Sequence, residues 1–145
     1  MPLVLSHNRF MTPETALLLA DLILALHWTF AAFIGLGLAV IWFGRCLGWG
    51  FIRSRPLRLT HLGAMGVVLA ESLLGVFCPL TEWEYQLRRL AGQSGRYETT
   101  FMDYWAQKLL YWDLPAGLFL FSYALFFGLM LATWWLVPPN PRTRR

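Results

Sequence analysis

Four ionisable side chains stand inside runs of otherwise apolar residues, and they are the first candidates for chemistry. They are Asp21, His27, His61 and Glu71. An ionisable group is costly at membrane depth, so such residues mark binding sites, proton paths or cofactor ligands. Imidazole binds haem iron, copper or zinc, whereas two close carboxylates share a proton or hold a cation between them.

The two histidines are candidate ligands for a cofactor. His27 and His61 are expected on two antiparallel helices, about one helical turn apart in depth. Two imidazoles are the minimum for bis-imidazole ligation of haem b, and they also suit copper or zinc. The simpler alternative is a buried histidine bonded to a backbone carbonyl of a neighbouring helix. Small residues on the same faces, among them Gly35 and Gly66, predict that these two helices pack closely.

A second set of polar residues is predicted where the second apolar run ends. Glu71 and Cys78 are seven residues apart and therefore share a helical face. Thr81 and Glu84 have the spacing of a capping box, and Glu84 and Arg88 that of an i, i+4 ion pair. We expect an outer polar cluster made of Asp21, Glu71, Cys78, Thr81, Glu84 and Arg88. If Asp21 and Glu71 face each other, Arg88 or Arg89 is the candidate cation between them. The alternative is that Asp21 and Glu71 each extend alone to the membrane interface.

The composition requires a bilayer around these residues. Hydrophobic residues make up 57% of the 145 residues and charged residues 14%, with a mean hydropathy of +0.50. Soluble domains carry about 25% charged residues, so a disordered chain, a disulfide scaffold and almost any water-soluble enzyme are excluded. Three apolar runs, at about residues 14–43, 57–77 and 114–137, are long enough to cross a membrane. We predict one all-α integral membrane domain over residues 1–145.

The segment between the second and third runs, residues 79–113, has a different character. It carries eight aromatic residues and charges of both signs, and its apolar positions recur at helical spacing. This pattern predicts one or two amphipathic helices in the headgroup region, where tyrosine and tryptophan are favoured. The segment acts either as an interfacial anchor or as a lid over a site between the helix ends.

Arginines predict the orientation of the three spans. The first connection carries Arg45, Arg53, Arg55 and Arg58 without an acidic residue, and the C-terminal tail carries Arg142, Arg144 and Arg145. Cytoplasmic loops are enriched in Lys and Arg. We therefore expect the C-terminus in the cytoplasm, with the N-terminus and residues 79–113 outside.

Residues 78–92 carry a resemblance to a known family. They read C-P-L-T-E-W-E-Y-Q-L-R-R-L-A-G, which closely resembles the pattern C-P-L-T-x-x-E-x-x-L-R-x-x-A-G of a bacterial membrane family, domain of unknown function twenty-seven eighty-four. His27, His61, Tyr97 and Phe101 are similar to further positions of that family, and the resemblance covers roughly residues 20–131. It implies a small multi-span inner-membrane protein and implies no reaction.

The function that we expect from the sequence is non-enzymatic. The chain contains no Gly-rich phosphate loop, nucleophile elbow, CxxC or HExxH pattern. The leading hypothesis is an accessory or assembly subunit of a larger membrane complex, with the lipid bilayer and other membrane-protein subunits as partners and no nucleic acid. The alternatives are a redox protein with haem b on His27 and His61, and a lipid- or quinone-binding protein that uses the outer polar cluster.

Overall fold

A computed structural model describes residues 11–93, 101–110 and 115–139. This part of the chain is helical and contains no strand, which confirms the predicted all-α class. The α-helices are α1 (Pro13–Cys46), α2 (Arg55–Leu74), α3 (Pro79–Leu90), α4 (Phe101–Leu110) and α5 (Ala116–Leu136), and a short 3-10 helix covers Gly50–Arg53. The predicted Tyr97 position and the C-terminal arginines lie outside the described residues.

Three of these helices are long and apolar enough to cross a membrane, namely α1, α2 and residues 117–136 of α5. The bundle therefore has two ends: the arginine end, where α1 joins α2, and the α3 end, where α2 gives way to α3. Helix α1 has 34 residues and a length of about 51 Å, whereas the hydrocarbon core is about 30 Å thick. Helix α1 is therefore longer than the hydrocarbon core is thick.

Local sequence signals explain where the first two helices begin and end. The Thr12 hydroxyl accepts a hydrogen bond from the Thr15 amide at 3.2 Å and caps α1. Gly75 adopts a left-handed conformation at φ 65° and stops α2 at Leu74, because glycine enters this region without steric cost. The second span was predicted to continue to Phe77, so its helix ends three residues earlier than expected.

The predicted capping box of α3 is wrong. The helix begins at Pro79 with Cys78 as the N-cap residue, so Thr81 lies inside the first turn rather than at the cap. Thr81 is buried, and its hydroxyl has no hydrogen-bond partner in the described part of the chain. Proline at the first helical position, which needs no amide hydrogen there, sets the start of the helix instead.

Two helix pairs carry most of the packing. Helix α3 lies along α1, where Ala16 and Ala20 are fully buried and let the helices approach. Helix α5 packs against α2. All three spans meet in one apolar cluster around Ile34, Met65 and Met130.

The contact of α1 with α2 uses a different glycine from the predicted one. A Cβ atom added at Gly37 would lie 2.5 Å from the Nε2 atom of His61, whereas one added at Gly35 would meet nothing within 4 Å. Gly66 instead faces Phe127 on α5. The sequence prediction was therefore wrong about the positions at which small residues allow close approach.

At the arginine end a buried guanidinium joins α2 to α5. Arg58 donates from Nη2 to the Thr133 carbonyl at 2.7 Å and to its hydroxyl at 3.2 Å. Its guanidinium also lies 5.9 Å from the centre of the Trp134 ring. Arg53 donates to the Pro138 carbonyl at 3.0 Å. These contacts fix the end of α5 against the first connection.

Candidate functional site

A half-open cavity of about 270 Å³ lies among the three spans on the side of the α3 end. Its walls come from α1, α2, α5 and the first residue of α4, and they are mostly apolar. The polar or ionisable residues that line it are His27, Glu71, Ser72, Cys78, Ser122 and Tyr123. An apolar cavity of about 150 Å³ already binds benzene, so this one has room for a larger molecule.

His27 forms the wall of the cavity on α1. Its side chain is buried, with 5% of the residue exposed, and its Nδ1 atom has no hydrogen-bond partner among the described residues. A buried polar atom without a partner costs about 1–3 kcal/mol relative to a satisfied one. His27 therefore brings a buried polar atom without a partner to the wall of the cavity.

Helix α4 covers this histidine. The Phe101 ring stacks on the imidazole of His27 with the ring centres 3.6 Å apart and the planes at 19°. Trp28 contacts the edges of both Phe101 and Trp105, at 5.4 Å and 5.1 Å between ring centres. An aromatic cluster, in which ring pairs each contribute about 0.5–1.5 kcal/mol, thus holds the start of α4 against α1.

Glu71 and Cys78 form the polar part of the wall contributed by α2 and the chain that follows it. The Cys78 thiol is hydrogen-bonded to the Glu71 carboxylate. Burial, together with the neighbouring carboxylate, raises the pKa of the Cys78 thiol above its usual value. The thiol is therefore protonated at neutral pH, which makes it a hydrogen-bonding group rather than a nucleophile.

Arg88 joins α3 to α1 through two carboxylates. Its Nε atom lies 2.9 Å from Oε1 of Glu84, and its Nη2 atom lies 2.9 Å from Oδ1 of Asp21. Burial alone lowers the pKa of Arg88, but the hydrogen bonds to Glu84 and Asp21 outweigh it and raise the net pKa. Asp21 and Glu71 thus have different partners, and Arg88 clamps α3 onto α1.

His61 stands apart from the cavity. Only 3% of the residue is exposed, and its Nε2 atom lies 2.9 Å from the carbonyl oxygen of Ile34. Phe33 contacts the ring edge-on at 5.2 Å. His61 is therefore bonded to the backbone of α1 and is not among the residues that line the cavity.

The two imidazoles do not fit as axial ligands of one haem. Ile34, to which His61 is bonded, follows His27 by seven residues on α1 and lies about 10 Å farther along the helix. Two nitrogens on one metal ion are only about 4 Å apart, twice an ordinary metal–imidazole bond. Within the described ranges, no three His, Cys, Asp or Glu side chains converge in a way that could hold a metal ion.

Comparison with known proteins identifies a family but no individual related protein. No curated protein and no solved structure matches this chain. The family model described as Protein of Unknown function (DUF2784) matches residues 17–139, a range that includes all but the first turn of α1 and the whole of α2 to α5. The predicted family is therefore confirmed, and the chain belongs to this family of proteins of unknown function.

Proposed function

We propose that this protein binds a lipophilic small molecule in the cavity among α1, α2 and α5, with the polar end of the molecule beside His27 and Glu71. The observation that carries the proposal is His27, which lines a mostly apolar cavity and whose buried Nδ1 atom has no hydrogen-bond partner among the described residues. Ligand-binding sites are typically apolar cavities with a few polar groups that orient the ligand. This cavity has that composition.

The arrangement of α4 supports the same function. Phe101 is buried and lies directly on His27, while the more exposed Tyr104 and Lys108 lie further along the same helix. An amphipathic helix at the membrane interface keeps such polar groups towards the headgroups and its apolar face inward. Helix α4 then acts as the lid that the aromatic segment suggested, rather than as an anchor alone.

Two glycines allow a matched test of the cavity. Gly35 lines the cavity, and a Cβ atom there meets nothing within 4 Å. Gly63 on α2 is equally open but does not line the cavity. Leucine at position 35 therefore fills the cavity, whereas leucine at position 63 only adds lipid-facing surface.

The experiment compares what the variants retain during gentle purification. Wild-type protein, Gly35→Leu and Gly63→Leu are extracted from native membranes in mild detergent, and their lipophilic contents are measured by mass spectrometry. We expect a molecule in about equal amount to the protein in wild type and Gly63→Leu, and its loss in Gly35→Leu. Equal retention by Gly35→Leu, or only bulk lipid in the wild type, contradicts the proposal.

The accessory-subunit hypothesis remains a prediction beside this one. Apolar side chains on α5, such as Phe121 and Trp135, are exposed, and this surface suits lipid as well as another subunit. Crosslinking in the native membrane tests for a subunit partner. An absorbance spectrum of the same preparation tests the haem b hypothesis, since bound haem gives an intense Soret band that His27→Ala and His61→Ala would remove.

We also propose the location and orientation expected from the arginines. Arg45, Arg53, Arg55 and Arg58 all belong to the arginine end of the bundle, and an excess of basic residues favours the cytoplasmic face. On this basis the arginine end faces the cytoplasm of a bacterial inner membrane. The cavity then lies in the outer half of the bilayer, where α4 covers it.

A further inference from the structure

The charges around the cavity restrict the head of the molecule that it binds. Glu71 is the acidic residue among the lining residues, and none of the lining residues that the structure describes is Lys or Arg. Arg88 forms ion pairs with Asp21 and Glu84 and is not among the lining residues. A phosphate or free carboxylate in the cavity would face Glu71 without a compensating cation, which is unfavourable in an apolar site. The head is therefore neutral.

The walls restrict its shape. Aromatic side chains line the cavity on several sides: Phe30 on α1, Phe77 in the chain after α2, Phe101 on α4, and Tyr123 and Phe126 on α5. Aromatic side chains favour offset or edge-on contact with a flat ring. The volume of about 270 Å³ exceeds the roughly 150 Å³ that holds benzene and suits a substituted six-membered ring, with an apolar tail leaving through the open side.

The polar groups restrict its hydrogen bonding. His27 on α1 and Glu71 on α2 line the same cavity from two different helices. A neutral imidazole donates from one ring nitrogen and accepts at the other, whereas an ionised carboxylate only accepts. A ring with a hydroxyl group on one side can donate to the carboxylate, while an oxygen on its other side hydrogen-bonds to the imidazole. A carbonyl oxygen only accepts, so it can bond to the imidazole but not to the carboxylate.

Resting on the proposed function, we infer that the bound molecule belongs to the quinone and quinol class. Its ring lies among the aromatic walls, one oxygen lies at His27, and in the quinol form the opposite hydroxyl donates to Glu71. The inference is carried by His27, whose Nδ1 atom is buried without a partner, and by Glu71, since both residues line one cavity. Its walls are aromatic, and no Lys or Arg is among the described residues that line it. The inference concerns recognition of the head group, and the tail contacts lipid and the apolar side chains at the opening.

The test measures binding of two defined probes to the full chain in lipid nanodiscs. One probe is a benzoquinone with a decyl tail, used in its oxidised form and, without oxygen, in its reduced form. The other is palmitic acid, which has a similar apolar tail and an anionic head. We expect the quinone or the quinol to bind wild-type protein in a one-to-one complex and palmitic acid to bind at least about tenfold more weakly.

Variants of the cavity locate the bound head. His27→Phe preserves a ring that can stack on Phe101, and Glu71→Leu removes the carboxylate. Each variant is expected to weaken binding of the quinol about tenfold, because one buried hydrogen bond is lost. His27→Asn keeps a polar atom near the position of Nδ1 and is expected to recover part of the affinity. Thr29→Val is the control. Thr29 is exposed, its hydroxyl donates a hydrogen bond to the Ala25 carbonyl, and it does not line the cavity. Thermal unfolding followed by circular dichroism shows that each variant is folded.

The outcomes separate this inference from the proposed function. Equal binding of palmitic acid, or unchanged quinone and quinol affinity in both His27→Phe and Glu71→Leu, overturns the inference. If neither probe binds while a native molecule is retained by wild type and lost by Gly35→Leu, the head-group class is wrong and the binding function stands. If Gly35→Leu retains as much as wild type, the binding function itself is wrong.

Discussion

His61 on α2 donates a hydrogen bond from Nε2 to the carbonyl oxygen of Ile34 on α1, with 2.9 Å between the two atoms. A carbonyl oxygen only accepts, so the ring carries its proton on Nε2. The imidazole fills the space beside Gly37, which has no side chain to displace it. His61 is thus a contact between two membrane-spanning helices, which is the simpler of the two roles predicted for it.

Substituting Gly37 tests this contact. In Gly37→Ala the new methyl group would lie 2.5 Å from Nε2 of His61, and the ring is held by Ile34 and Phe33 and has little freedom to move. Overpacking of this kind costs about 1–3 kcal/mol. We expect the free energy of unfolding in mild detergent to fall by about that amount, as measured by denaturant titration followed by circular dichroism.

Gly35→Ala provides the matched control for that measurement. It makes the same change two residues away, where a Cβ atom meets nothing within 4 Å. Alanine is favoured over glycine in a helix by about 0.5–1 kcal/mol, so this variant is expected to be as stable as wild type or slightly more stable. Equal destabilisation by both substitutions would show that the His61 contact is not the cause.

The bond of Arg88 to Glu84 is expected to matter more than its bond to Asp21. Both distances are 2.9 Å, but the Glu84 side chain is 0% exposed and the Asp21 side chain is 66% exposed. Removing the cation from a buried carboxylate costs about 3–5 kcal/mol, whereas an exposed ion pair contributes about 0–1 kcal/mol. Arg88→Met is therefore expected to destabilise the protein by about 3 kcal/mol, and Asp21→Asn by less than about 1 kcal/mol.

The double variant Glu84→Met with Arg88→Met shows whether the buried charge is responsible. Replacing both partners by apolar side chains removes the uncompensated carboxylate, so we expect the double variant to be more stable than Arg88→Met alone. The readout is the same denaturant titration. A double variant less stable than both single variants would mean that α3 needs the ion pair itself to dock on α1.

The three spans could be predicted from the sequence because a span is recognised from the hydropathy of about 20 residues together. An error of a few residues at either end changes that total little. The contacts that depend on the direction of a side chain could not be predicted from the sequence. Gly35 and Gly37 are both small residues on α1, yet only Gly37 meets His61, and periodicity gave no reason to choose it. Arg58 was counted as a topology signal, although it is a buried link between α2 and α5.

The candidate site was predicted in part. The i, i+4 spacing predicted the pair of Arg88 with Glu84. Glu71 and Cys78 were expected together on one helical face, but α2 ends at Leu74, so the chain that follows the helix, and not a shared face, brings them to one cavity. The cavity was not predictable, because it depends on how three helices leave space among them. The stacking of Phe101 on His27 joins residues 74 positions apart, and the aromatic stripe of residues 101–112 gave only the suggestion of a lid.

Labelling of the two free cysteines is expected to report the orientation. Cys46 is exposed at the arginine end, and Cys78 is half-buried at the α3 end. A membrane-impermeant maleimide should label Cys46 rapidly in inverted vesicles and leave it unlabelled in right-side-out vesicles. Labelling of Cys46 in right-side-out vesicles would reverse the proposed orientation and place the cavity in the inner half of the bilayer.

The same reagent tests the environment of Cys78. Because burial and the Glu71 carboxylate raise the pKa of this thiol, the thiolate fraction at pH 7 is small, and the labelling rate should rise about tenfold per pH unit until the pKa is reached. Glu71→Gln removes the negative charge and is expected to speed labelling at pH 7. A rate that is independent of pH between 7 and 9 would mean that access, and not ionisation, limits the reaction of Cys78.

Helix α4 should control access to His27. Phe101 stacks on the imidazole at 3.6 Å between ring centres, and both residues are buried. Phe101→Ala removes this cover, so we expect diethyl pyrocarbonate to modify His27 at least about tenfold faster. Mass spectrometry of the peptide that contains His27 measures the rate. A tenfold change corresponds to roughly 1.4 kcal/mol in the equilibrium between the closed and open states. Leu109→Ala alters an exposed residue of the same helix and should leave the rate unchanged. If His27 already reacts as fast in the wild type as in Phe101→Ala, α4 does not close the cavity, and a bound molecule exchanges without moving it.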